Sequence, residues 1–345
     1  MQHGRKKPTT PLSHALKVLE QKKIAEYRAK ATQCLELRHR HVLTADALAA
    51  TAALLNDNTE YYTIWNYRRE LLAAVPDDMV AALQQELVWL MRTILPCNPK
   101  SYWIWNHRRW TLETLAGILT AKQDAIVALW RGEMKLVDRF LDLDPRNFHA
   151  WDYRRYVVAQ LCPYDARLVE AEFQFTSTKV AQNFSNFSAW HQRSKLFAEW
   201  LQQTNRAFPD ALNDELDLLH NAVYTEPNDQ SAWLYHKWLL AQAVDRLDAS
   251  ALAAVRRAEL AVIEELAELE SECKWVLGAL VFLCTLGGLA TPDEIGKAEY
   301  MVAELKQIDP YRAQYYATLV PRRQEGGEKV GSTGPGSGSR AAGRS

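Results

Sequence analysis

The 345 residues contain no Cys-x-x-Cys pair and no His-Glu-x-x-His run. Their five cysteines, Cys34, Cys97, Cys162, Cys273 and Cys284, are odd in number and widely spread. A disulfide framework or a structural zinc site needs paired, clustered ligands, so the thiols read as reduced, in a cytoplasmic protein. His39 and His41 stand two apart, which on a helix turns them to different sides. An excess of one charge is also missing: 41 basic residues meet 42 acidic ones, for a net charge of −1. No basic arm interleaves with aromatics, which argues against a nucleic-acid partner. Local clusters can still build local fields. The N-terminal "MQHGRKKPTTPLSHALKVLEQKK" lacks the apolar segment of a signal peptide. The longest apolar run, "VLGALVFLCTLGGLA" at 276–290, is too short to cross a bilayer and is punctuated by Gly, so a buried helix is expected there. The closing "RAAGRS" is not a prenylation box. With 48% hydrophobic and 24% charged residues, the chain has the composition of a soluble globular protein without membrane insertion.

What is abundant is tryptophan in a recurring phrase. "TEYYTIWNYRREL" (59–71), "NPKSYWIWNHRRW" (98–110), "DPRNFHAWDYRRYV" (144–157), "NFSNFSAWHQRSKL" (183–196) and "EPNDQSAWLYHKWL" (226–239) share one design. Taking Trp65, Trp105, Trp151, Trp190, Trp233 and Trp275 as a ruler gives spacings of 40, 46, 39, 43 and 42 residues, and Tyr316 fills the slot 41 residues later. A period near 42 with helical texture predicts stacked helical hairpins. The first helix of each hairpin is amphipathic, as in 77–95 and 291–308. Thr291 and Pro292 suit a cap and a first helical position. Asn98-Pro99, Asp144-Pro145, Glu226-Pro227 and Asp309-Pro310 then stop it, because proline cannot continue a helix. Six residues after each proline comes the Trp slot, and the second helix is expected to begin just before it.

Residues present in nearly every copy build the repeat. Trp65, Arg68, Arg69 and Leu72 share one side of the second helix. The Trp is expected to pack on the first helix, and the arginines to reach carbonyls or acids of the neighbouring hairpin. Function is expected where copies differ. Five residues before the Trp stand Glu60, Lys100, Arg146, Ser185, Asn228, Glu270 and Tyr311, so only the second and third copies place a cation there. These copies are adjacent, and packed helices put their loops on the order of 10 Å apart. One rim thus collects Lys100, Tyr102, Arg146, Asn147, Phe148 and His149. Cations, an amide, a phenol and an imidazole beside aromatics suit an anionic ligand with an apolar tail. The bland alternative is that solvent-facing loop residues vary freely.

The phrases "WNYRREL", "YWIWNHRRW", "RNFHAWDYRR", "NFSAWHQR" and "DQSAWLYHKW" resemble the prenyltransferase α-subunit repeat, and in particular the α subunits of the Rab-type (type II) protein geranylgeranyltransferases. The likeness covers residues 1 to about 322, and "HGRKK" at 3–7 resembles the start of such subunits. The long Pro-rich extension of farnesyltransferase α subunits has no counterpart. The resemblance implies an all-α fold, a right-handed α-α superhelix in which a crescent of stacked hairpins wraps a β subunit. Residues 1–43 are expected as an N-terminal extension and helix and 44–322 as repeats, while the Gly/Ser-rich composition of 323–345 predicts a disordered tail. The resemblance also implies transfer of a geranylgeranyl group from geranylgeranyl diphosphate to C-terminal cysteines of Rab GTPases, presented by a Rab escort protein. Zinc would be bound by the β subunit, with no metal site in this chain.

Pro99-Lys100-Ser101-Tyr102 corresponds to the family's Pro-Lys-x-Tyr loop, which lends its Lys to the diphosphate, and Asn147-Phe148-His149 to its Asn-aromatic-His loop. Attack at an allylic carbon leaves growing negative charge on the diphosphate, which preorganised cations stabilise. Phe148 departs from the farnesyltransferase-type Tyr, so no hydroxyl is available there. His3 would be a regulatory ligand to the partner's zinc, although Gln2 precedes it. The spacings leave no room for the inserted and appended domains of some animal enzymes, so the short, fungal-type form is expected. Two alternatives stay open: the α subunit shared by farnesyltransferase and type I geranylgeranyltransferase, and a non-catalytic helical-repeat scaffold.

Overall fold

The computed structural model describes residues 13–320. The expectations for His3 and for the tail from 323 onward fall outside them. Among the described residues there are fifteen α-helices and no strand. They are α1 (His14–His39), α2 (Ala45–Asp57), α3 (Tyr62–Ala74), α4 (Met79–Trp89), α5 (Tyr102–Ile118), α6 (Gln123–Leu143), α7 (Phe148–Leu161), α8 (Leu168–Gln182), α9 (Phe187–Thr204), α10 (Phe208–Thr225), α11 (Gln230–Arg246), α12 (Ala249–Leu269), α13 (Lys274–Thr285), α14 (Pro292–Ile308) and α15 (Ala313–Tyr316). The chain forms two compact units, one ending at Ala211 and one starting at Leu212.

In the first unit, α2–α3, α4–α5, α6–α7 and α8–α9 are the expected hairpins. Each second helix starts three residues before its Trp. The Trp is buried, and its Nε1–H donates to the carbonyl six residues earlier: Trp65 to Thr59 (2.8 Å), Trp105 to Pro99 (2.9 Å), Trp151 to Pro145 (2.8 Å) and Trp190 to Phe184 (2.8 Å). One residue type therefore fills the core and ties down the loop that opens its own helix.

In the first three phrases the first arginine is buried and finds an acid on the next first helix, as expected. Arg68 grips Glu86 with two bonds of 2.7 and 2.6 Å, Arg108 grips Glu133 at the same distances, and Arg154 does likewise with Glu172. The acid also serves the second helix of its own hairpin. Glu86 meets His107 Nε2 at 2.8 Å, and Glu133 accepts from the Tyr153 hydroxyl at 2.8 Å. Arg69 Nε–H points at His107 Nδ1 (3.3 Å), so the proton sits on Nε2 and is donated to Glu86. Burial pushes the His107 imidazole down, which keeps it neutral. Burial alone would raise Glu86, but hydrogen bonds from His107 and Arg68 hold it at about 2. The second arginine of the first phrase reaches sideways: Arg69 Nη2–H donates to Asn106 (2.6 Å).

The second unit repeats the theme with other residues. Trp233 donates to the Pro227 carbonyl (2.7 Å), Tyr235 donates to Glu215 (2.7 Å), and Glu259 sits between His236 (2.8 Å) and His220 (3.0 Å). Here the Trp ruler fails once. α13 begins at Lys274 after Cys273, so the slot three residues into the helix is Leu277, 6% exposed, while Trp275 is only partly buried. The spacing of the acids agrees. Glu133, Glu172, Glu215 and Glu259 each precede their slot by 18 residues, the last counted to Leu277. Glu86 precedes Trp105 by 19, and a π turn over Leu90–Ile94 absorbs the extra residue. Thr291 and Glu294 form a capping box at α14, and Tyr316 is buried in the last slot. The apolar run at 276–290 forms α13 and a short turn closed by Gly287 and Gly288, both at positive φ. All five cysteines are free.

Two expectations follow. Glu133→Ala leaves the Arg108 guanidinium buried without a counter-ion, so urea unfolding should show a loss of about 3–5 kcal/mol; a loss under about 1 kcal/mol, the worth of a surface pair, would contradict the shared-acid scheme. The second concerns pH. Glu86 and Glu259 are both held at about 2, against 4.5 when unfolded. Their stabilisation is complete above about pH 4.5 and is lost as pH falls toward 2. Acid unfolding curves should show this decline, and Glu86→Gln should flatten it; an unchanged slope in the variant would count against the assignment.

Candidate functional site

The rim is built by two loops that precede α5 and α7. Proline at Pro99 and Pro145 sets the turn. The backbone N–H of Ser101 closes on the Asn98 carbonyl (3.1 Å), and that of Asn147 on the Asp144 carbonyl (3.0 Å). The Asp144 side chain accepts from the Arg146 N–H (3.2 Å), a turn repeated at Asn58–Glu60 and Asn183–Ser185. Asn147 caps α7 by accepting from His149 and Ala150 N–H (3.1 and 3.4 Å). Its amide also donates to the Pro99 carbonyl (3.1 Å), the oxygen that already holds Trp105. The two loops are therefore bonded to each other.

Lys100 reaches across this junction to Asp144, with Nζ 2.9 Å from Oδ2, and both groups are partly exposed. Tyr102 lies edge-on to His149 with ring centres 4.3 Å apart, and Phe148 lies 3.9 Å from the same imidazole. Tyr102 and Phe148 stand out into solvent at 64% and 55% exposure, while His149 beneath them is 6% exposed. Burial pushes the His149 imidazole down, outweighing the attraction of Glu60 and Asp152, so it is neutral near pH 7. Arg146 is exposed at the open end of its loop.

Of the residues expected on the rim, Lys100, Tyr102, Asn147, Phe148 and His149 come together around the Asn147–Pro99 bond. Asn147 is 1% exposed and both halves of its amide are engaged, so it positions the rim from below. Arg146 contributes a cation at the edge. Below Lys100 opens a cavity of about 550 Å³, with Met91, Leu136, Phe140 and Leu143 on its apolar side and Lys100, Asp144 and Asn147 at its polar end. Asp144 was not among the residues singled out from the sequence. It belongs to a row of Asn, Asp and Glu seven residues before the Trp slot, which reads as a turn former in every copy. Lys100 faces it, as Lys274 faces Asp309 in the last copy.

The hairpins match the protein prenyltransferase alpha subunit repeat family at residues 44–75, 83–115, 130–161, 169–200 and 212–243. The chain is 30% identical over 335 residues to the geranylgeranyl transferase type-2 subunit alpha of Saccharomyces cerevisiae, covering 93% of this chain and 100% of that protein. It is 34% identical over 322 residues to the Schizosaccharomyces pombe protein of the same name, covering 87% and 92%. It is 37% identical over 253 residues to the Bos taurus one, covering 70% of this chain but 42% of that longer protein. A solved structure of Candida albicans protein geranylgeranyltransferase-I complexed with GGPP shares the fold with a TM-score of 0.67 at 21% identity, covering 92% of this chain and 96% of that one. The chain belongs to the family of geranylgeranyl transferase type-2 α subunits.

Asn147→Ala removes both the cap of α7 and the bond to Pro99. The expected cost is about 1–2 kcal/mol in denaturant unfolding, with raised protease sensitivity around Pro99; an unaltered digestion pattern would show that the amide does not tie the loops.

Proposed function

We propose that this chain is the α subunit of a heterodimeric Rab geranylgeranyltransferase. With a prenyltransferase β subunit, it transfers geranylgeranyl from geranylgeranyl diphosphate to C-terminal cysteines of Rab GTPases that an escort protein presents in the cytoplasm. The observation that carries this reading is the alignment along the full length of the budding-yeast type-2 α subunit. In keeping with it, Lys100 and Arg146, the two cations peculiar to adjacent loops, lie on a rim whose parts are bonded together. Among the described residues no helix is long and apolar enough to cross a membrane.

As the allylic C–O bond breaks, negative charge grows on the leaving diphosphate. The Lys100 ammonium gives a point charge to its oxygens, Arg146 adds a second cation, and the exposed Tyr102 hydroxyl adds a donor. Neutral His149 adds no charge; it holds Tyr102 in place by ring contact. Contacts that strengthen as charge develops accelerate the step rather than merely binding the substrate. Zinc would be held by the β subunit and would stabilise the attacking thiolate there. Among the described residues of this chain no group of three or more His, Cys, Asp or Glu side chains is arranged to hold a metal ion.

The test is co-expression with a type-2 β subunit and a transfer assay with labelled geranylgeranyl diphosphate. Labelling of a Rab ending in two cysteines, only when escort protein is present, is the expected result. Labelling of a short Cys-aliphatic-aliphatic-X peptide instead would overturn the Rab assignment. In the active heterodimer, Lys100→Ala should lower the transfer rate by tens- to several hundred-fold, about 2–4 kcal/mol, without loss of assembly. A variant with the parent's rate would remove Lys100 from the chemistry.

A further inference from the structure

Asp144 is fixed by its surroundings. It ends α6, where its N–H donates to the Phe140 carbonyl (2.9 Å), and its own carbonyl accepts from Asn147 (3.0 Å). One carboxylate oxygen accepts the Arg146 N–H at 3.2 Å, and the other lies 2.9 Å from the Lys100 ammonium. Asp144 thus orders the backbone that carries one rim cation and holds the side chain of the other. Lys100 has no such restraint of its own. It is a long, flexible side chain, 43% exposed, on a loop. Unheld, it would spread over many rotamers, and ordering it during the reaction would slow the step.

We propose that Asp144 is a positioning residue that holds Lys100 at the rim while the remaining N–H donors of its ammonium turn to the diphosphate as negative charge develops there; this rests on the role given to Lys100 above. An ammonium has three donors, so one can stay on Asp144 while the others meet phosphate oxygens. The pair is half-exposed, so its attraction is weak. The Asp144 carboxylate also repels a bound diphosphate. Asp144 therefore weakens substrate binding slightly, but it keeps the ammonium oriented, so the step itself bears no ordering cost.

Four heterodimers test this: the parent, Asp144→Asn, Lys100→Ala and the double variant. Asparagine keeps an oxygen for the Arg146 N–H and removes the charge that holds Lys100. The expected Asp144→Asn phenotype is divided: Kd for geranylgeranyl diphosphate falls by about three-fold, while kcat falls by about ten-fold. In the Lys100→Ala background, Asp144→Asn should change neither constant further. Asp144→Glu should recover part of kcat. The proposal is overturned if Asp144→Asn behaves as the parent, or if its effect is equally large without Lys100, which would mean that Asp144 acts only through the loop. If Lys100→Ala alone leaves kcat and Kd unchanged, the role of Lys100 falls first and this one with it.

Discussion

Buried glutamates between consecutive hairpins are the constraint on which the stack depends. Glu86 satisfies Arg68 of the preceding hairpin and His107 of its own, and Glu133 does the same for Arg108 and Tyr153. A buried carboxylate is costly without partners, and so is a buried guanidinium. Each cancels the other only when three helices stand in one register. The node therefore selects an arrangement more sharply than apolar contact can, because a slip of one turn would strand charges in the core. The same demand explains the π turn at Leu90–Ile94: the chain distorts a helix locally and keeps the node. It also explains why Glu259 pairs with two histidines where arginine is absent, since the carboxylate must be satisfied by whatever the slots supply.

With the helices locked in this way, the loops before the second helices are held as well. Each buried Trp clamps the carbonyl at the start of its own loop. In the second and third hairpins the clamp extends sideways, because Asn147 spans from the α7 cap to the Pro99 oxygen. Lys100, Tyr102, Phe148 and His149 are thereby presented from a rigid base, while their tips stay exposed or in ring contact. Rigidity comes from rows common to all hairpins, and chemical character from the few positions where the hairpins differ. That division lets a repeating scaffold give one pair of loops a character of its own.

Much of the fold was legible in the residues. The period, the proline stops, the onset of each second helix and the reach of the first arginines toward the neighbouring hairpin all followed from spacing. Trp275 was misplaced because residue identity served as the ruler, whereas the structure counts from the cap at Cys273 to Leu277. On the rim, the cations and aromatics stood out because they broke the pattern. Asp144 did not, because it obeyed a pattern shared by Asn58, Asn98 and Asn183. Nor did the sequence reveal that the Asn147 amide would be fully engaged, or that His149 would be buried and neutral.

The sequence by itself determined the hairpins, their order and which rows face inward. Helical periodicity and proline stops act between residues three to seven apart, and such geometry is a property of the local chain. Only the tertiary structure decided which groups meet across helices: Lys100 with Asp144, the Asn147 amide with the Pro99 carbonyl, and Glu86 with both Arg68 and His107. Those partners lie between 18 and 48 residues apart. Whether they reach hydrogen-bonding distance depends on the packing register of whole helices, which buried charge pairs fix collectively and no single segment encodes.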